Sequence, residues 1–168
     1  MFALTNGLLS QLTGKAGISG RSRQTFNIHA SYDEPCQRFL NAINIGSYIQ
    51  PHRHSLDDRK EMLVACKGKF AIIEFFNNGD FKCFTLFGTE KYFDKGVSCF
   101  GVEVPPDCWH TVIALEPMSV LLEVKEGPFE TEACKECASW APSPESPNVE
   151  DYVDKLYDFC SPHFEPLS

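Results

Sequence analysis

Residues 70–87 read FAIIEFFNNGDFKCFTLF, two phenylalanine-rich runs on either side of Asn77-Asn78-Gly79-Asp80. Apolar runs of this length, rich in Ile and Phe, suit a pleated and buried strand. Asn, Gly and Asp between them tolerate the positive φ of a tight reversal, so the stretch predicts a β-hairpin. Further short runs rich in Val, Ile, Leu and Phe lie outward of it, at 62–65, 98–104, 110–115 and 120–124. Turn material separates them at Lys67-Gly68-Lys69, Pro105-Pro106-Asp107 and Glu116-Pro117-Met118. Short strands punctuated by Gly and Pro predict an all-β antiparallel barrel or sandwich. No helices of 10 to 15 residues alternate with the strands, which argues against a doubly wound α/β fold.

The flanks read differently. Phe2, Leu4, Leu8, Leu9 and Leu12 make residues 1–13 a short amphipathic helix or a docking arm, and the glycines and serines of 14–23 predict a loop. Residues 36–44 mix periods of 2 and 3.6, leaving helix and strand both open. Residues 129–148 are polar and carry Pro142, Pro144 and Pro147, which predicts an extended strap. Val149, Tyr152, Val153, Leu156 and Phe159 then recur at helical spacing behind Asn148, a capping residue type. The organisation read from this is one domain: an N-terminal arm over 1–23, a barrel over 24–128, and a strap with a short helix over 129–168.

Composition sets the outer bounds. A chain of 168 residues buries enough surface to fold without staples. Its 43% hydrophobic and 23% charged residues exclude a disordered chain. A net charge of -8 argues against a nucleic-acid partner, whose backbone requires a positive surface. No run reaches the length of a membrane span, and residues 1–13 lack the basic start of a secretory leader. The expectation is a cytoplasmic protein whose eight cysteines are mostly reduced. Cys134 and Cys137 form a Cys-x-x-Cys, with Cys160 and His163 three apart downstream, but no helix N-terminus or strong ligand pattern gives them a redox or zinc role.

Chemistry concentrates in the five histidines. His52 and His54 are two apart, so on a strand both imidazoles face one side. Glu61 opens the next apolar run and His110 opens the run after Trp109. Three imidazoles and one carboxylate delivered from separate strands meet the ligand count of a divalent metal while leaving positions for water or substrate. Fe, Zn, Mn, Ni and Co all suit this donor set.

These residues resemble the two motifs of the cupin superfamily. Gly46 precedes His52-Arg53-His54 by five residues, and Glu61 precedes Gly68 by six, as in the first motif. Six residues rather than three or four separate His54 from Glu61, which makes Asp58 a rival ligand; the distance to Gly68 favours Glu61. Pro105 and His110 hold the second motif's places, while Asp107 and Ala114 replace its glycine and asparagine. Pro51-His52-Arg53-His54, Gly101-Val102-Glu103-Val104-Pro105-Pro106, Trp109-His110-Thr111-Val112 and 122–128 further resemble the WbuC family of cupin-fold metalloproteins, as do Phe26-Asn27-Ile28-His29, 33–38 and Trp140-Ala141-Pro142. The likeness covers about residues 21–142.

The resemblance implies a double-stranded β-helix, or jelly-roll barrel, with one divalent metal on His52, His54, Glu61 and His110. It also implies a setting in surface-polysaccharide synthesis, hence a small polar substrate such as a sugar or sugar nucleotide, and association as a homodimer. The reaction expected is an isomerisation or epimerisation, with an Fe(II)-dependent dioxygenase and a non-catalytic sugar-binding or regulatory cupin as rivals. His29 is read as an acid-base group beside Glu61. Arg38, Tyr48 and Glu123 are read as substrate contacts, Arg38 competing with a structural pairing to Asp33 or Glu34. Arg53 is expected on the outer face of its strand, and Cys108 as filler rather than as a metal contact.

Overall fold

The computed structural model describes residues 1–55, 59–130 and 135–161. Two five-stranded sheets form the barrel, and every pairing between named strands is antiparallel. The first sheet takes β1 (Arg23–Asn27), β2 (Cys36–Ile43), β4 (Glu61–Lys67), β7 (Gly101–Val104) and β9 (Ser119–Glu126) in the order β1-β2-β9-β4-β7. The second takes β3 (His52–Arg53), β5 (Lys69–Phe75), β6 (Phe81–Gly88), β8 (His110–Ala114) and β10 (Glu136–Cys137) in the order β10-β3-β8-β5-β6. Apart from the pairs β1–β2 and β5–β6, successive strands thus fall on opposite sheets, the crossing pattern of a jelly-roll double-stranded β-helix.

The hairpin that anchored the reading is β5–β6. Phe76 N–H donates to Asp80 O at 2.9 Å, and Gly79 turns with φ of 91°. Only glycine fits there, because a Cβ would stand 2.7 Å from the Trp140 ring.

Alternation along the strands sorts the core into three clusters. Between the sheets pack Ile43, Leu63, Phe70, Phe87, Val112 and Leu121, with Phe70 and Phe87 stacked at 5.2 Å. Outside the second sheet, Ile73, Phe75, Trp109 and Ile113 are covered by the strap and by α2 (Val149–Cys160), through Ala141, Leu156 and Cys160. Outside the first sheet, Leu40, Ala42 and Val120 are covered by α1 (Asn6–Ile18), through Leu9, Leu12 and Ala16.

The helix α1 corrects the loop expected from residue 14. Thr5 caps its start by accepting from Leu8 N–H at 3.2 Å, and the helix continues through Gly14 and Gly17 to Ile18. Burial of Ala16 against the sheet outweighs the poor helix propensity of the two glycines. Residues 36–43 are a strand. Both faces of β2 are covered, by α1 outside and the barrel inside, which blurs its period in sequence. The strap is not merely extended, since β10 adds to the edge of β3. No helix among the described residues is long and apolar enough to cross a membrane.

Candidate metal centre

One mouth of the barrel gathers the chemistry. His52 on β3 is the direct cross-strand partner of His110 on β8, and their ring centroids lie 4.5 Å apart. His54 follows β3, and Glu61 enters from the facing sheet at the start of β4. One ligand atom from each of the four residues falls within 4.8 Å of the others. Donors on opposite sides of a single ion stand about 4.2 Å apart, so the spread is close to that of a coordination shell. Asp58, the rival acid, lies outside the described residues, whereas Glu61 is buried among the three rings.

Hydrogen bonds set the tautomers. His52 Nδ1 faces Gln50 O at 3.0 Å and His110 Nδ1 faces Cys108 O at 2.9 Å. A carbonyl only accepts, so each Nδ1–H donates outward and each Nε2 turns toward the cluster. His54 Nε2 lies 2.8 Å and His110 Nε2 3.6 Å from the Glu61 carboxylate, while Lys125 Nζ stands 2.7 Å from His54 Nδ1 and 3.8 Å from Glu61. Three imidazoles beside one carboxylate are the donor set a divalent cation takes, displacing any protons held between them.

The protonation pattern agrees. Burial, followed by the nearby His110 ring and Lys135, holds His52 well below the ordinary imidazole value, so the ring is neutral. Burial alone would raise Glu61, but hydrogen bonds from His110 and His54 and their charges outweigh it and hold it well below the usual carboxylate range. Glu123 goes the other way. Burial first, then the Glu61 carboxylate beside it, push it well above that range. Its surface is only partly closed, because it opens onto the cavity, yet the barrel walls keep bulk water away.

The centre opens into a cavity of about 400 Å³. His29 and Glu123 both line it, and Asn41 Nδ2 fixes Glu123 by donating to its Oε2 at 2.9 Å. Arg38 and Tyr48 do not line it, which corrects their reading as substrate contacts. Along β2, Gln37, Phe39 and Asn41 take the inward positions, so Arg38 points outward, where it pairs with Glu34 and donates to Cys36 O. Tyr48 lies in irregular chain before the two-residue β3, so strand alternation does not carry back to it from His52. Its hydroxyl donates to Pro142 O at 2.7 Å, and burial raises its pKa.

Arg53 lies on the outer face as expected, donating to Glu136 at 2.8 Å and covering the Trp109 ring at 4.5 Å. Cys108 points away from the ligand cluster into a separate surface groove, its thiol pushed up to about 11 by burial. Cys134 and His163 lie outside the described residues. The reading from sequence did not single out Lys125 or Asn41 as cavity residues. Lys125 shares the parity of Leu121 and Glu123 on β9, and that parity was the available signal.

Comparisons with known proteins bear on the fold. A family model described as a domain of unknown function, DUF6016, matches residues 4–85. No curated protein matches the sequence. The capsular polysaccharide assembling protein CapF from Staphylococcus aureus superposes with a TM-score of 0.56 at 16% identity, over 71% of this chain but 30% of that longer one. Protein SO0799 from Shewanella oneidensis superposes with a TM-score of 0.53 at 15% identity, over 79% of this chain and 84% of that one. A cupin 2 conserved barrel domain protein from Rhodopseudomonas palustris aligns over 82% of this chain and 78% of that one, with a TM-score of 0.49 at 14% identity. At such identities the likeness concerns architecture alone. The chain has the fold of a jelly-roll double-stranded β-helix, and the mouth of its barrel carries a cluster of three histidines and one glutamate suited to a metal ion.

Proposed function

We propose that this protein is a metal-dependent cupin of the WbuC type that isomerises or epimerises a small sugar or sugar nucleotide. The observation that carries the reading is the convergence of His52, His54, Glu61 and His110 at the floor of a walled cavity with polar groups on its sides. A bound divalent ion would polarise a substrate oxygen as a Lewis acid. The chain's own residues supply the rest. His52, His54, Glu61 and His110 hold the ion. Asn41 orients Glu123, which in its ionised form takes a proton from a carbon next to a carbonyl and returns it to the neighbouring carbon or to the opposite face, while His29 Nε2–H donates to a substrate oxygen. Such a reaction is redox-neutral overall and requires no further reactant.

Elemental analysis of the purified chain tests the centre. About one divalent ion per chain is expected, lost in His52→Ala and in Glu61→Ala with the fold retained; full metal content in either variant would sink the assigned site. Catalysis is tested by NMR in deuterated water with a keto sugar. Metal-dependent deuterium uptake at the carbon beside the carbonyl, abolished in Glu123→Gln, supports an isomerase or epimerase. Oxygen consumption by the Fe(II)-loaded chain without deuterium uptake would instead favour the dioxygenase.

A further inference from the structure

Two aromatic rings stand at the rim of the cavity and remain open to solvent. Tyr32 is 56% exposed and Phe129 41% exposed, and both line the cavity. Their centroids are 5.1 Å apart with planes 39° from parallel, so they touch each other and form one apolar wall. The rings sit on a fixed frame. Phe129 N–H donates to Tyr32 O at 2.7 Å, and Gln37 Nε2 donates to Tyr32 O at 3.1 Å and to Glu34 O at 2.8 Å. Gly127 N–H donates to Pro35 O at 2.9 Å, and Gly127 lies so close to Glu34 O that a Cβ would stand 2.0 Å from it.

A second observation points into the same place. His29 is 7% exposed and its ring lies 5.5 Å from that of Tyr32. Arg38 N–H donates to His29 Nδ1 at 3.0 Å. Arg38 O is also near that nitrogen, but it is already served by the N–H groups of Ile28 at 2.8 Å and His29 at 3.3 Å. Nδ1 therefore accepts, and the proton of the neutral ring sits on Nε2. That Nε2 is buried and has no hydrogen-bond partner among the described residues. A buried donor left unpaired is costly, and any ligand oxygen that reaches it removes that cost.

We infer that Tyr32, Phe129 and His29 form a subsite for one pyranose ring, its C–H face against the two aromatic rings and one of its oxygens accepting from His29 Nε2–H. The assignment rests on the sugar reading given above and specifies how the sugar sits. A single apolar wall opposite polar groups suits a saccharide, which has an apolar face and a hydroxylated edge. Asn27 and Asn41 line the cavity, and the Asn27 amide approaches the Tyr32 hydroxyl at 3.4 Å. A flat nucleobase gains most from two parallel faces, and the 39° tilt provides no such slot.

Saturation-transfer NMR on the full, zinc-loaded chain tests this, with glucose, N-acetylglucosamine and glucuronic acid as probes and adenosine as the planar control. At least one sugar is expected to bind with saturation strongest on the C–H protons of one ring face. Phe129→Ala and Tyr32→Ala should each weaken it about threefold to tenfold with zinc content unchanged, while Phe129→Tyr keeps it. Sugar binding that is the same in wild type and in both alanine variants overturns the subsite and leaves the sugar reading standing. Binding of no sugar by the wild type overturns both. Adenosine binding that Phe129→Ala abolishes, without sugar binding, replaces the saccharide with a planar ligand.

Discussion

Glu61 and Glu123 lie diagonally across neighbouring strands of the same sheet and are shifted in opposite directions. Hydrogen bonds from the imidazoles hold Glu61 low, whereas burial, with the Glu61 charge beside it, holds Glu123 high. With His52 they set a pH signature for the metal-free chain. His52 is depressed below its ordinary 6.5, so below that pH the unfolded chain binds a proton that the folded chain refuses, and stability drops on acidification. Glu123 is raised above 4.5, so its contribution is full below that pH and is lost as pH rises toward its folded value. Each slope is about 1.4 kcal/mol per pH unit, and between 4.5 and 6.5 they oppose one another. Urea titrations should therefore give a flatter stability profile in that window than either group alone would produce. Below 4.5 the depressed Glu61 adds a loss on acidification. Glu123→Gln removes one slope, so its stability should climb with pH up to about 6.5 and then level off. A wild-type profile for this variant would overturn the assigned proton.

The elements differ in how plainly the sequence announced them. The β5–β6 hairpin was legible because a dense apolar run and a turn of Asn, Gly and Asp agree locally, and α2 because its apolar residues recur along one face. By contrast, the second half of α1 depends on a contact that no local pattern records, Ala16 on the outer face of the first sheet. In β3, only two residues long, histidine spacing carried more information than strand pattern. The ligand set was legible for the same reason, whereas Lys125 was passed over because a charged inward residue breaks the apolar rhythm of a strand. The distal seat of α1 supports a separable prediction. Leu12, on the sheet-facing side of that helix, is 3% exposed, so Leu12→Ala should lower stability by about 2–4 kcal/mol in urea unfolding. Metal content should not change, because the sheet stands between α1 and the cavity; loss of metal would show that the helix braces the centre.

Across the whole molecule, the cysteines divide by burial, and the seven that are described are all free thiols. Cys36, Cys83 and Cys137 are exposed, while Cys160 is buried on the inner side of α2 with its thiol pushed up to about 12 by burial. Alkylation at neutral pH, followed by mass spectrometry, should label the exposed three rapidly and Cys160 only once the chain unfolds. Rapid labelling of Cys160 in the native protein would mean that α2 detaches readily. The strap has a different importance. Glu136 holds both Arg53 and Ser55, Ala138 N–H donates to Pro51 O, and Gln50 donates to Ala138 O. The two-residue strand that presents His52 is thus held in place by residues joined to it from 83 positions later in the chain. Since a ribosome releases the chain from its N-terminus, His52 and His54 emerge long before their brace does. During synthesis the centre is completed only after the strap has emerged, so the nascent barrel spends most of its growth without a finished metal trap.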